Sequence, residues 1–130
     1  MIFVDTSVWI DYFNGKVLPE TERLHQALGL EDVIIGDLIA LEILQGFRQD
    51  KDYKAAKEML NAFTQYTLLG PNAVLACAEN YRRLRKKGIT IRKTADVIIA
   101  TFCIDRKIPL LFSDRDFHPF VEHLGLSSAM

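Results

Sequence analysis

Asp5 stands directly behind the apolar run at residues 2–4, with no Lys or Arg before it and none among the ten residues after it. Glu42 lies among Leu38, Ile39, Leu41, Ile43 and Leu44, a helical stretch whose only other polar side chain is Gln45. Asp96 falls in the first turn expected behind Thr94, and the segment SDRDF sets Asp114 and Asp116 at alternate positions after another apolar run. A carboxylate among apolar residues must find a partner, stay protonated or bind a metal, because burying an unpaired charge is costly. Carboxylates that converge also raise one another's pKa unless a cation sits between them. An all-oxygen ligand set favours Mg²⁺ or Mn²⁺ over zinc. Such an ion activates water and offsets charge on a phosphoryl group, so phosphodiester hydrolysis is the chemistry these acids imply. Local alternatives exist: Glu42 has Arg48 within reach as an ion-pair partner, and Asp96 would complement its helix dipole with Arg92 or Lys93 beside it. Asp114 is assigned to the site and Asp116 to a helix cap or an auxiliary ligand. Asp11, Asp37, Asp50 and Asp52 read as capping or solvent-facing residues.

These acids need a scaffold that carries them to one place. Short apolar runs at 2–4, 33–35, 66–69 and 110–112 read as strands buried on both faces. Between them, helices are expected over 6–13 with Thr6 as its cap, 20–28 before Gly29, 38–45 with Asp37 as its cap and Gly46 as its stop, and 51–63. Further helices are expected over 71–87 opened by Pro71, over 94–107 capped by Thr94, and over 116–124. Strands alternating with helices predict an α/β fold, a single domain over 1–130 with a short parallel sheet flanked by helices. Asp5 and Asp114 then both sit at carboxyl ends of strands, the edge where open α/β sheets bind ligands.

Composition supplies limits. The chain has 130 residues, 49% hydrophobic and 25% charged, which suits one soluble domain with a proper core and excludes disordered, collagenous and coiled-coil classes. Its 16 Lys and Arg against 17 Asp and Glu leave no global basic field, so any affinity for nucleic acid must come from local segregation of charge. Cys77 and Cys103 have no CxxC spacing and no histidine beside them, which predicts buried reduced thiols rather than zinc or redox sites. The N-terminus lacks a basic region followed by a long apolar core, and no stretch approaches 18 apolar residues, so a cytoplasmic location is expected. His25, His118 and His123 lie near no nucleophile in sequence, and Trp9, Tyr12 and Phe13 read as core or dimer contacts rather than base-stacking residues.

Four segments together resemble a known family. The opening MIFVDTSVWIDYF, the helix DLIALEILQGFR, the segment IRKTADVIIATFCIDRKIPLL and the closing LLFSDRDF resemble PIN domains, and among them the VapC-type toxin ribonucleases of toxin–antitoxin pairs. The resemblance covers essentially the whole chain. It implies a Mg²⁺- or Mn²⁺-dependent endoribonuclease that cleaves structured RNA such as tRNA or rRNA, forms a homodimer and is inhibited by a cognate VapB-like antitoxin. By motif, Asp5, Glu42, Asp96 and Asp114 become the metal-binding catalytic quartet and Asp116 a frequent fifth acid. Thr6 and Ser7 would orient carboxylates or water. Many family members place Thr or Ser two residues before the fourth acid; here Phe112 stands there, with Ser113 beside it as the candidate hydroxyl.

Charge segregation agrees with an RNA substrate. Arg82, Arg83, Arg85, Lys86, Lys87, Arg92 and Lys93 lie within twelve residues that contain no acid. The first five also suit the end of a helix, where cations favour the dipole. Arg92 and Lys93, close to Asp96, are the candidates for contacting RNA phosphates. Two other classes compete: a catalytically inactive PIN-like scaffold that binds protein, and a phosphoacceptor receiver domain. The receiver reading wants paired acids after the first strand and a lysine after a late one, whereas this chain has Asp5-Thr6-Ser7 and Ser113-Asp114. Walker A and GxGxxG loops are absent.

Overall fold

The computed structural model describes residues 1–130. Its strands are β1 (Ile2–Val4), β2 (Val33–Gly36), β3 (Gln65–Tyr66) and β4 (Leu110–Leu111). Helices α1 (Thr6–Phe13) and α2 (Pro19–Ala27) follow β1, α3 (Asp37–Gly46) and α4 (Asp50–Leu60) follow β2, and α5 (Pro71–Lys86) and α6 (Thr94–Arg106) follow β3. A 3-10 turn, Arg115–Phe117, and α7 (His118–Leu124) follow β4. All pairings are parallel, in the order β3-β2-β1-β4. The chain winds outward from β1 through β2 to β3 and then returns to the other side of β1. The reversal falls between β1 and β4, and in such sheets the crevice beyond the carboxyl ends at that point receives the ligand.

Register fixes where the acids emerge. Phe3 pairs with Leu110 and Val4 with Leu111, and the Asp5 amide donates to the Leu111 carbonyl at 2.9 Å. Asp5 is therefore held at the last rung of the β1–β4 ladder. Every residue of β1 is buried, as a parallel strand covered on both faces requires. A continuous core includes Phe3, Trp9, Leu24, Ile34, Ile99 and Phe117. Trp9 is fully buried and stacks on Phe13, so these aromatics are core residues. Cys77 and Cys103 are buried free thiols whose pKa values burial pushes up, which disfavours thiolate chemistry. His25, His118 and His123 are exposed.

Several expected boundaries shift, some through a contact distant in sequence or a missing donor. Thr6 does not cap α1; Asp5 occupies the cap position and the Thr6 hydroxyl turns to Glu42. Lys93, not Thr94, occupies the cap position of α6, and Gly36 that of α3. Asp37 instead joins the first turn of α3, and its Oδ1 accepts from the amides of Leu38 at 2.8 Å and Leu68 at 3.2 Å. That second bond takes the Leu68 amide out of a ladder, so β3 stops at Tyr66 instead of running to Leu69. Helix α4 ends at Leu60 rather than 63, and Phe63 packs edge-on against Trp9. The last helix is interrupted because Pro119 has no amide hydrogen; α7 restarts there behind the 3-10 turn.

Gly36 joins β2 to α3 under the side chain of Leu68, and a Cβ at that position would overlap Leu68 Cγ and both its methyls. Gly36→Ala should lower unfolding stability by about 1–3 kcal/mol through overpacking. Adding Leu68→Ala should restore part of the loss, a coupling that denaturant melts of the single and double variants measure.

Candidate active site

Four elements bring carboxylates to the carboxyl edge of the sheet. Asp5 leaves β1 and is 5% exposed; its Oδ2 accepts from the Ser7 hydroxyl at 2.8 Å. Burial raises its pKa, the Ser7 hydroxyl and the Thr6 and Ser7 amides pull the other way, and the nearby charge of Glu42 raises it further. Glu42 projects half-buried from α3, and its Oε1 accepts from the Thr6 hydroxyl at 2.8 Å. Asp96, in the first turn of α6, is 7% exposed. Asp114 and Asp116 follow β4, both half-buried.

Asp96, Asp114 and Asp116 each place a carboxylate oxygen within 4.8 Å of the other two. The pKa of Asp96 is pushed up to about 6, first by burial, then by the charges of Asp5 and Asp114; Lys93 opposes the shift and Asp116 adds to it. Its Oδ2 is buried and has no hydrogen-bond partner. A desolvated oxygen without a donor, on a carboxylate grouped with two others, is what a hard divalent cation would satisfy, and the oxygen-only donor set suits such an ion. Asp96, Asp114 and Asp116 are the residues placed to hold it, with Asp5 close enough for its charge to reach Asp96.

Sequence and structure assign several roles differently. Glu42 stands outside the three-carboxylate group and reaches Asp5 through its charge and through its neighbour Thr6. Asp116 belongs to that group, and it caps nothing. The cap is Asp114, whose Oδ1 accepts from the Asp116 amide at 2.9 Å. Asp116 Oδ2 instead meets Arg92 Nη2 at 3.0 Å, a pairing across 24 residues that no local pattern signals. Arg48 makes no ion pair with Glu42. Phe112 is buried against Phe117 and His118, while Ser113 Oγ lies 3.3 Å from Ser7 Oγ. The displaced hydroxyl thus extends a chain from Ser113 through Ser7 to Asp5. Lys93, exposed at the start of α6, adds positive charge beside Asp96.

A family model for the PIN domain matches residues 2–120, which contain every one of these side chains. The chain belongs to the PIN-domain family. Its curated relatives include the VapC ribonuclease Mb1587 of Mycobacterium bovis, 28% identical over 99% of this chain and 98% of that protein. Ribonuclease VapC1 of Methanocaldococcus jannaschii is 30% identical over 96% of this chain and 84% of its own length. This PIN domain is therefore of the VapC group. Among solved structures, VapBC2 from Rickettsia felis, bound to a DNA fragment from its promoter, superposes with a TM-score of 0.77 at 16% identity, over 98% of this chain and 97% of the other. FitAcB from Neisseria gonorrhoeae gives 0.75 at 19% identity, over 98% and 96%. At those identities the structures establish the fold, and the PIN domain shares it along nearly its whole length. No helix of it is long and apolar enough to cross a membrane.

Proposed function

We propose that this protein is the toxin ribonuclease of a toxin–antitoxin pair, a Mg²⁺- or Mn²⁺-dependent endoribonuclease that cuts single-stranded or loop regions of structured RNA such as tRNA or rRNA. The observation that carries the reading is Asp96, whose Oδ2 is buried without a partner and whose carboxylate groups with those of Asp114 and Asp116. A divalent cation bound there would supply an activated water and offset charge on the phosphate. Asp96, Asp114 and Asp116 would hold that cation, with Asp5 beside them. Ser7 fixes Asp5 and Thr6 fixes Glu42, so both acids of the quartet are held in set orientations towards the cation and its water. The water oxygen forms a new bond to phosphorus as one P–O bond of the backbone breaks, and the proton the water gives up is matched by the one the leaving oxygen takes up. Arg92 and Lys93, exposed at the start of α6, contact the RNA backbone.

The test is direct. Purified protein incubated with total cellular RNA should give discrete fragments with Mn²⁺ or Mg²⁺ and none with chelator. Intact RNA under both conditions would sink the reading. Its production alone should arrest growth, and co-production of the cognate VapB-like antitoxin should relieve the arrest. Its fold's likeness to VapBC2 supports that partner.

A homodimer is part of the same reading, supported by apolar side chains left in solvent. Leu41 is 57% exposed, Leu69 45% and Val74 50%. Leu41 and Leu69 line one groove with Leu38 and Ile98, and Leu69 and Ile98 continue into a second with Val74 and Tyr81, so the apolar face is continuous across α3, α5 and α6. Leu41→Asp should shift the sedimenting species from dimer to monomer without lowering the melting temperature of the monomer, since that side chain is mostly in water.

A further inference from the structure

Arg92 precedes α6, and its side chain is 76% exposed. It nevertheless does not project freely into solvent: Nη2 lies 3.0 Å from Asp116 Oδ2. That carboxylate belongs to the three-acid group, and this is the single ion pair that any of the three makes. The charges of Asp116, Asp114 and Asp96 all hold the guanidinium pKa above its ordinary value, so its field partner is the whole cluster. An ion pair this exposed is weak and readily exchanged. A dication among the same carboxylates would compete for Asp116 and repel the guanidinium. Once released, Arg92 has its full fork of donors available at the mouth of the site, the geometry that suits a phosphate.

We propose that Arg92 is the resident counter-cation of this acidic site and exchanges partners during function, leaving Asp116 when a divalent cation enters and taking a backbone phosphate of the RNA instead. The inference rests on the proposed cation site and adds a coupling to it. Arg92 is paired with Asp116 in the cation-free protein and unpaired in the loaded one, so cation and RNA strengthen each other's binding by the same factor. Asp116 is the hinge of the exchange, since its carboxylate serves one cation or the other.

Calorimetric titration of the full-length protein with MnCl₂, without RNA, gives the first readout. Arg92→Gln should bind Mn²⁺ tighter than wild type by about three- to tenfold, because a competing positive charge is gone. The second readout is anisotropy of a short labelled single-stranded RNA, measured in a Glu42→Gln background to slow cleavage. There Arg92→Gln should leave RNA affinity unchanged without Mn²⁺ and weaken it about three- to tenfold with Mn²⁺, lowering the salt slope by roughly 0.7 in the loaded state. The exposed position makes misfolding an unneeded explanation, and matching melting curves verify this. Two results overturn the exchange while leaving the cation site standing: Mn²⁺ binding by Arg92→Gln equal to or weaker than wild type, or an equal loss of RNA affinity with and without Mn²⁺. Wild-type protein that binds no Mn²⁺ would overturn the cation site itself and the exchange with it.

Discussion

Asp96→Asn is expected to abolish RNA cleavage and at the same time make the metal-free protein more stable. The loss of activity should be about a thousandfold or more, equivalent to roughly 4 kcal/mol of transition-state stabilisation, because the substitution removes a charged ligand from the middle of the acidic group. The gain in stability has a separate origin. Asp96 titrates near 6 in the folded protein against an ordinary 3.8, with burial as the leading cause. A folded-state pKa above the unfolded one means that folding favours the protonated acid. Its favourable contribution is therefore complete below pH 3.8 and is lost as pH rises through about 6. Above that point the ionised, buried carboxylate is a net cost to folding relative to acid conditions. Asn carries no charge, and its amide hydrogens would face acceptors on Asp114, so stability at pH 7 should rise by about 1–3 kcal/mol. Denaturant melts at pH 7 and pH 4 in chelator check both halves: the gain should appear at pH 7 and shrink towards zero at pH 4. A residue kept only to stabilise α6 would show the reverse, a loss on substitution at neutral pH.

The same residues show what could be read from sequence and why the rest could not. An apolar run handing over to an acid is a local pattern, and it located Asp5 directly behind β1 and Asp114 three residues beyond β4 because strand burial and strand ends depend on adjacent residues. Glu42 stood out because a lone carboxylate on an apolar helix contradicts its surroundings. What failed were assignments of short polar side chains with two possible partners. Thr6 reads equally well as a cap or as a donor to an unseen acid, and the donor role won through Glu42, 36 residues away. Asp37 has the sequence position of a cap, yet its bond to the Leu68 amide ends β3 early. At SDRDF, sequence spacing separates Asp114 from Asp116 without saying which one accepts the turn hydrogen bond and which stays free for Arg92. Those choices depend on tertiary distances, and local propensity is nearly indifferent between them.

Cation binding should therefore appear first as a stability effect, before any RNA is added. Asp96, Asp114 and Asp116, with Asp5 beyond them, hold like charges close together, and burial denies Asp96 the water that would screen it. Folding assembles this repulsion and unfolding relieves it, so a ligand that removes it acts on the native state alone. At a cation concentration 100 times the dissociation constant the gain is about 2.7 kcal/mol, which for a domain of this size is roughly 5–15 °C in Tm. Protons compete for the same oxygens. Since Asp96 binds its proton below about pH 6, the shift produced by Mn²⁺ or Mg²⁺ should be large at pH 7.5 and much smaller at pH 5. Asp96→Asn, already relieved of its charge, should respond weakly at both. Melting curves over those two pH values, with chelator, Mg²⁺ and Mn²⁺, give the comparison. Equal shifts in wild type and variant would place the cation elsewhere on the protein, and the unpartnered Asp96 oxygen would need another explanation.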